Sequence, residues 1–81
     1  MVSRIVANEL AMRVEETLRP VIGSVLATVS VDVESKRIGK TPDTLEHGDL
    51  SQMAQNLVSA LNLVVGRELA EAAASKVRAL S

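Results

Sequence analysis

The chain has 81 residues, a formal net charge of −1, no Cys and no Phe, Tyr or Trp, yet 47% of its residues are hydrophobic. Without Cys there can be no disulfide scaffold, thiolate metal site or cysteine nucleophile. A chain of this length supports one thin core, here built only from Val, Leu, Ile, Ala and Met, so a single domain over residues 1–81 is expected to complete its core across a subunit interface.

From Ser3, a fair N-cap, Val2, Val6, Leu10, Val14 and Leu18 recur at the spacing of one helix face and predict a helix over residues 4–18. Ile5 and Met12 lie off that stripe. Arg4, Glu9 and Arg13 interrupt any apolar run of signal-peptide length, and "PVIGSVLATVSVDV" is too short to cross a bilayer, so a cytoplasmic location without membrane contact is expected. Pro20 cannot donate to the carbonyl of Glu16, which predicts a kink or a very tight join there.

The next stretch, "TVSVDVES", fits two periods. Val29, Val31 and Val33 alternate with polar residues, as a strand pairing with itself across a dimer would require, in the manner of ribbon-helix-helix proteins. The helical reading is preferred: Val21, Val25, Val29 and Val33 stand four apart, Ala27, Val31 and Ile38 form another side, and Lys36, Arg37 and Gly39 make a good helix end.

In "KTPDTLEHG", Thr41 can cap and Pro42 can open one short turn of helix that Gly48 stops. Asp49 and Gln52 have capping-box spacing, placing the start of the next helix at Leu50. Leu50, Met53, Ala54, Leu57, Val58, Leu61, Val64 and Val65 fill one broad arc of that helix, and Leu63 alone falls on its polar side. Gly66 then separates a last helix carrying Leu69, Ala73, Val77 and Leu80. The pass shows no internal repeat and yields an all-α class: a small bundle of about four helices, one of them short, completed by dimerisation.

"SKRIGKTPDTL" resembles the joint of helix-turn-helix DNA-binding units, with Ser35, Gly39, Thr41, Pro42, Thr44 and Leu45 at the characteristic positions. That resemblance implies a second helix entering the major groove, with Lys36, Arg37 and Lys40 on phosphates. Three departures weigh against it. Glu34 stands where such units bury an aliphatic side chain, the second helix would meet Gly48 after one short turn, and residues 41–66 hold no Lys or Arg for phosphate contact.

Other chemistries have less support. Asp43, Glu46, His47 and Asp49 cluster, but at no recognised metal-loop spacing. One His, no Tyr and no glycine-rich phosphate loop leave few catalytic combinations. Phosphopantetheine carriers are of similar size but carry Asp-Ser-Leu where this chain has "GDLSQM". No catalytic, cofactor or metal residues are assigned. The preferred reading is a non-enzymatic helical module for protein interaction and oligomerisation, with a regulatory or scaffolding role, a homodimer with a further protein partner. Gly23 and Ala27 would permit close approach, and Val31, Ile38 and Leu63 would make intermolecular contact.

Overall fold

A helix ends where a residue must leave the αR region, and glycine does so without a side-chain penalty. The computed structural model describes residues 8–81, where two glycines each join a pair of successive helices. Helix α1 (Glu9–Ile22) meets α2 (Ser24–Arg37) at Gly23, and α3 (Leu50–Val65) meets α4 (Arg67–Arg78) at Gly66. Gly23 has φ 85° and ψ 166°, and Gly66 has φ 88° and ψ 162°. Each glycine ends one helix by donating to Arg19 or Asn62 and begins the next by accepting from Ala27 or Ala70. Together the four helices pack into an all-helical bundle with no strand among the described residues, so residues 28–34 are helical.

Several expected boundaries move. Val2, Ser3, Ile5 and Val6 lie outside the described residues, and α1 is capped by Asn8, whose Oδ1 accepts from the Ala11 N–H at 2.8 Å. The helix runs on past Pro20, and the break falls at Gly23 instead. No helical turn opens at Pro42. A turn spans residues 42–44, and a 3-10 turn at His47–Asp49 contains Gly48 and leads directly into α3. Asp49 does not pair with Gln52: its Oδ2 accepts from the Glu46 N–H at 2.9 Å, one step earlier in the chain. Asn8 explains the difference, because it holds this loop against the start of α1. Its backbone N–H donates to Pro42 O, and its Nδ2 donates to Leu45 O at 2.8 Å and Asp43 O at 3.3 Å. Leu45 is thereby turned inward and buried.

The core consists of Leu10, Ala11, Val14 and Leu18 of α1, Ala27 and Val31 of α2, Leu45, Leu50, Met53, Ala54, Leu57 and Leu61 around α3, and Ala70, Ala73, Ala74 and Val77 of α4. Large side chains of α3 face a nearly all-alanine side of α4, so these two helices make the most extensive contact in the molecule. Alanine loses no rotamer freedom and lets backbones approach closely, which compensates for the missing aromatics.

The burial pattern reveals a repeat that residue identity conceals, correcting the expectation of none. Adding 43 to each number carries Gly23 onto Gly66. The same step carries buried Leu10, Ala11, Val14 and Leu18 onto buried Met53, Ala54, Leu57 and Leu61. On the second helices it carries buried Ala27, Ser30, Val31 and Glu34 onto buried Ala70, Ala73, Ala74 and Val77. Few of these pairs are identical, so similarity lies in which positions are covered.

A Cβ at either corner glycine would meet nothing within 4 Å. Substitution is therefore expected to cost only backbone strain, about 1–3 kcal/mol for a side chain held in this glycine region. Urea unfolding of Gly66→Ala should show that loss with an unchanged slope, and a neutral result would mean that the corner adjusts its dihedrals freely.

Candidate interaction surface

Helix α2 departs from the usual amphipathic arrangement. Its inward side carries Ala27 and Val31 but also Ser30, Glu34 and Ser35, all buried. Its outward side carries Val25, Val29 and Val33, which are 77%, 48% and 39% exposed. Helices usually bury their apolar side and solvate their polar side, and α4 does so: the positions equivalent to the three valines are Glu68, Ala72 and Lys76. Thus the valine stripe is not a requirement of the fold. A hydrogen bond at 2.6 Å from Thr28 Oγ1 to Glu15 Oε1 ties this side of α2 to α1. Val29 also borders a surface groove of about 370 Å³, shared with Val31 and Pro42 and rimmed by Asp32 and Lys36.

The second apolar patch lies around the Gly66 corner, where Leu63 is 91% exposed and Val64 61%, with Leu69 also exposed. Leu63, on the polar side of α3, points to solvent as its position predicts. The other residues expected at an interface fall elsewhere. Ala27 and Val31 are buried in the chain's own core, which corrects their expected role as contact residues. Val25, Val29 and Val33 face outward, so the inward and outward sides of α2 are the reverse of those expected, while Val21 belongs to α1 and packs against the core. Ile38 is half-buried against the core, and Gly23 is an exposed corner whose function is its dihedral angle.

The basic residues of the proposed helix-turn-helix joint are engaged with carboxylates. Lys36 Nζ lies 3.2 Å from Asp32, Arg37 Nε 3.7 Å from Glu34, and Lys40 Nζ 2.7 Å from Glu46 and 3.4 Å from Asp49. The hydrogen bond to Glu46, with the nearby charges of Asp49 and Glu46, raises the Lys40 pKa. The joint itself is a helix end closed by Gly39: the Gly39 N–H donates to Lys36 O and the Lys40 N–H to Ser35 O. A 3-10 turn occupies the place of the second helix, so the residues lack the spatial arrangement that the local resemblance implies. Glu46 and Asp49 face Lys40, Asp43 accepts from Thr41, and among the described residues no three acidic or His side chains converge as a metal site would require.

Glu34 is 1% exposed, and its Oε1 has no hydrogen-bond partner among the described residues. Burial raises its pKa above the ordinary value of 4.5, while the Arg37 guanidinium acts in the opposite sense. Its counterpart in the second helix pair is Val77, which fills the same place with no polar cost. Its burial, despite its charge, also means that this position is covered as an aliphatic one would be.

No family model, curated protein or solved structure matches the chain.

Because the folded-state pKa of Glu34 is raised, the folded form binds this proton more tightly than the unfolded form. Its contribution to stability therefore falls as pH rises from 4.5 through the folded-state pKa. Glu34→Val is expected to stabilise the protein at neutral pH by about 1–3 kcal/mol, the usual cost of an unsatisfied buried polar group. Urea titrations at pH 5 and pH 7 should show that the gain shrinks at the lower pH, and a variant less stable than the parent at both would refute this account.

Proposed function

We propose that the protein is a non-enzymatic helical interaction module that self-associates and binds another protein, in a regulatory or scaffolding role in the cytoplasm. The observation that carries this reading is the concentration of exposed aliphatic side chains on the outward side of α2 and at the Gly66 corner. Each would gain from leaving water, at roughly 25 cal/mol per Å² of apolar surface. The large residues of the core are already packed against one another, and among the described residues these side chains are left facing outward.

Two patches allow two kinds of contact at once. The stripe on α2 suits a helix laid alongside it, where side chains four residues apart fill the spaces between a partner's ridges. Leu63 and Val64 project from a corner instead, a form suited to a concave partner surface. No helix among the described residues is long and apolar enough to cross a membrane.

Association driven by apolar burial should withstand salt, because it depends little on exposed ion pairs, and sulfate should strengthen it. Sedimentation equilibrium at high micromolar concentration is expected to give twice the monomer mass, with no loss on raising the sodium chloride concentration. A monomer throughout would refute self-association, and an assembly that dissolves in salt would point to the paired cations and carboxylates instead.

A further inference from the structure

We infer that the groove between α3 and α4 binds a small organic anion, its carboxylate or phosphate oxygens on the Arg78 guanidinium and the Ser59 and Ser75 hydroxyls, its apolar part over Val58. The groove measures about 600 Å³ and is lined by Gln55, Val58 and Ser59 of α3 and by Glu71, Ser75 and Arg78 of α4. Small-molecule sites span roughly 300–1,000 Å³, so the volume suits such a ligand. None of these residues belongs to the two aliphatic patches, and the inference is independent of the self-association proposed above.

Arg78 differs from the other arginines. Among the described residues, Arg13, Arg19, Arg37 and Arg67 each pair with a carboxylate of their own helix, three or four residues away. Arg78 pairs with none: Ala74 and Ser75 occupy the positions one turn before it, and residues 1–7 include no Asp or Glu. The side-chain hydrogen bonds of α3 and α4 run from Gln52 to Asn56 and from Arg67 to Glu71. The Gln55 carboxamide and the Ser59 and Ser75 hydroxyls are therefore also without a partner among the described residues.

A guanidinium presents its donors as a planar fork that matches two oxygens of a carboxylate or phosphate. The hydroxyls and the carboxamide can donate to the oxygens that remain. Glu71, the one carboxylate of the groove, is held by Arg67 at 3.0 Å. It also stands seven residues from Arg78, about 10 Å along the helix, beyond the Debye length of about 8 Å. Val58, partly buried against the core, gives the groove an apolar floor that an inorganic ion would leave uncovered.

The repeat provides an internal control. Moving back 43 residues carries Val58, Glu71 and Ser75 onto Glu15, Thr28 and Asp32, which line the smaller groove between α1 and α2. There the polar groups close on one another: Thr28 donates to Glu15 at 2.6 Å, and Asp32 pairs with Lys36 at 3.2 Å. The counterpart of Arg78 is Ser35, buried and bonded to the Val31 carbonyl. The fold thus forms the groove twice, once with its polar groups paired internally and once with donors left for a ligand.

Titrating the isotope-labelled chain with phenyl phosphate, and separately with benzoate, at constant pH and ionic strength tests the site by nuclear magnetic resonance. Amide signals of residues 55–59 and 71–78 should shift saturably, with a dissociation constant on the order of a millimolar for so open a groove. The tighter probe identifies the headgroup. Arg78→Gln should weaken binding about tenfold, as loss of a charged hydrogen-bonding partner does. Arg78→Lys, which keeps the charge without the fork, should recover only part of that loss. Lys76→Gln removes a cation of the same helix outside the groove and should leave the affinity unchanged. No saturable shift with either probe at tens of millimolar would overturn the site. Equal losses in Arg78→Gln and Lys76→Gln would overturn it as well, because binding would then follow net charge.

Discussion

Two glycines, each joining one helix to the next in a single residue, set the frame of this fold. Gly23 and Gly66 adopt nearly the same dihedral angles, and each serves as the last cap of one helix and the first of the next. A corner this short leaves neither helix free to choose its direction. The side of α1 that faces inward thereby determines which side of α2 does so, and the same holds for α3 and α4. Two such corners, joined by the loop that Asn8 holds in place, bring four helices of small aliphatic residues close enough to form a core without an aromatic ring.

The corners also determine what was legible in the sequence. Helix α3 was readable from its start at Leu50 to the glycine that ends it, and Leu50, Met53, Ala54, Leu57 and Leu61 of its apolar arc are buried, but Val64 of the same arc is exposed beside the Gly66 corner. Helix α2 could be recognised as a helix but its orientation could not. Valines occur on both of its sides, and the four-residue spacing of Val21, Val25, Val29 and Val33 is as regular as that of a buried stripe. What turns Ala27 and Val31 inward is the geometry at Gly23, a tertiary constraint that periodicity does not record. Asn8 was hidden for a similar reason: its cap is local, but its hold on Pro42, Asp43 and Leu45 crosses more than thirty positions.

The same reasoning accounts for the region that resembles a DNA reader. A glycine-bearing turn after a helix is a common solution to stopping a helix, and Gly39 performs that task here with two backbone hydrogen bonds. Its neighbours Lys36, Arg37 and Lys40 lie beside carboxylates supplied by the same helix and the following loop. The local pattern carries information about the turn, and the charges around it carry the information about what the turn presents.

Comparing α2 with α4 isolates the feature that the fold itself does not explain. At equivalent inward positions α2 has Ser30 and Glu34 where α4 has Ala73 and Val77; at equivalent outward positions it has Val25, Val29 and Val33 where α4 has Glu68, Ala72 and Lys76. Each exchange makes α2 the less favourable helix for an isolated chain, inside and outside alike. Local rules of this kind are commonly broken where function imposes a cost on stability. An outward valine recovers its cost when a partner covers it. A buried carboxylate does not, and it weakens the inward packing of the same helix that carries the stripe. The exposed valine stripe and the least satisfied part of the core are thus two sides of one helix. Covering the valines would hold α2 against the bundle from outside, so association and folding of this helix should reinforce each other.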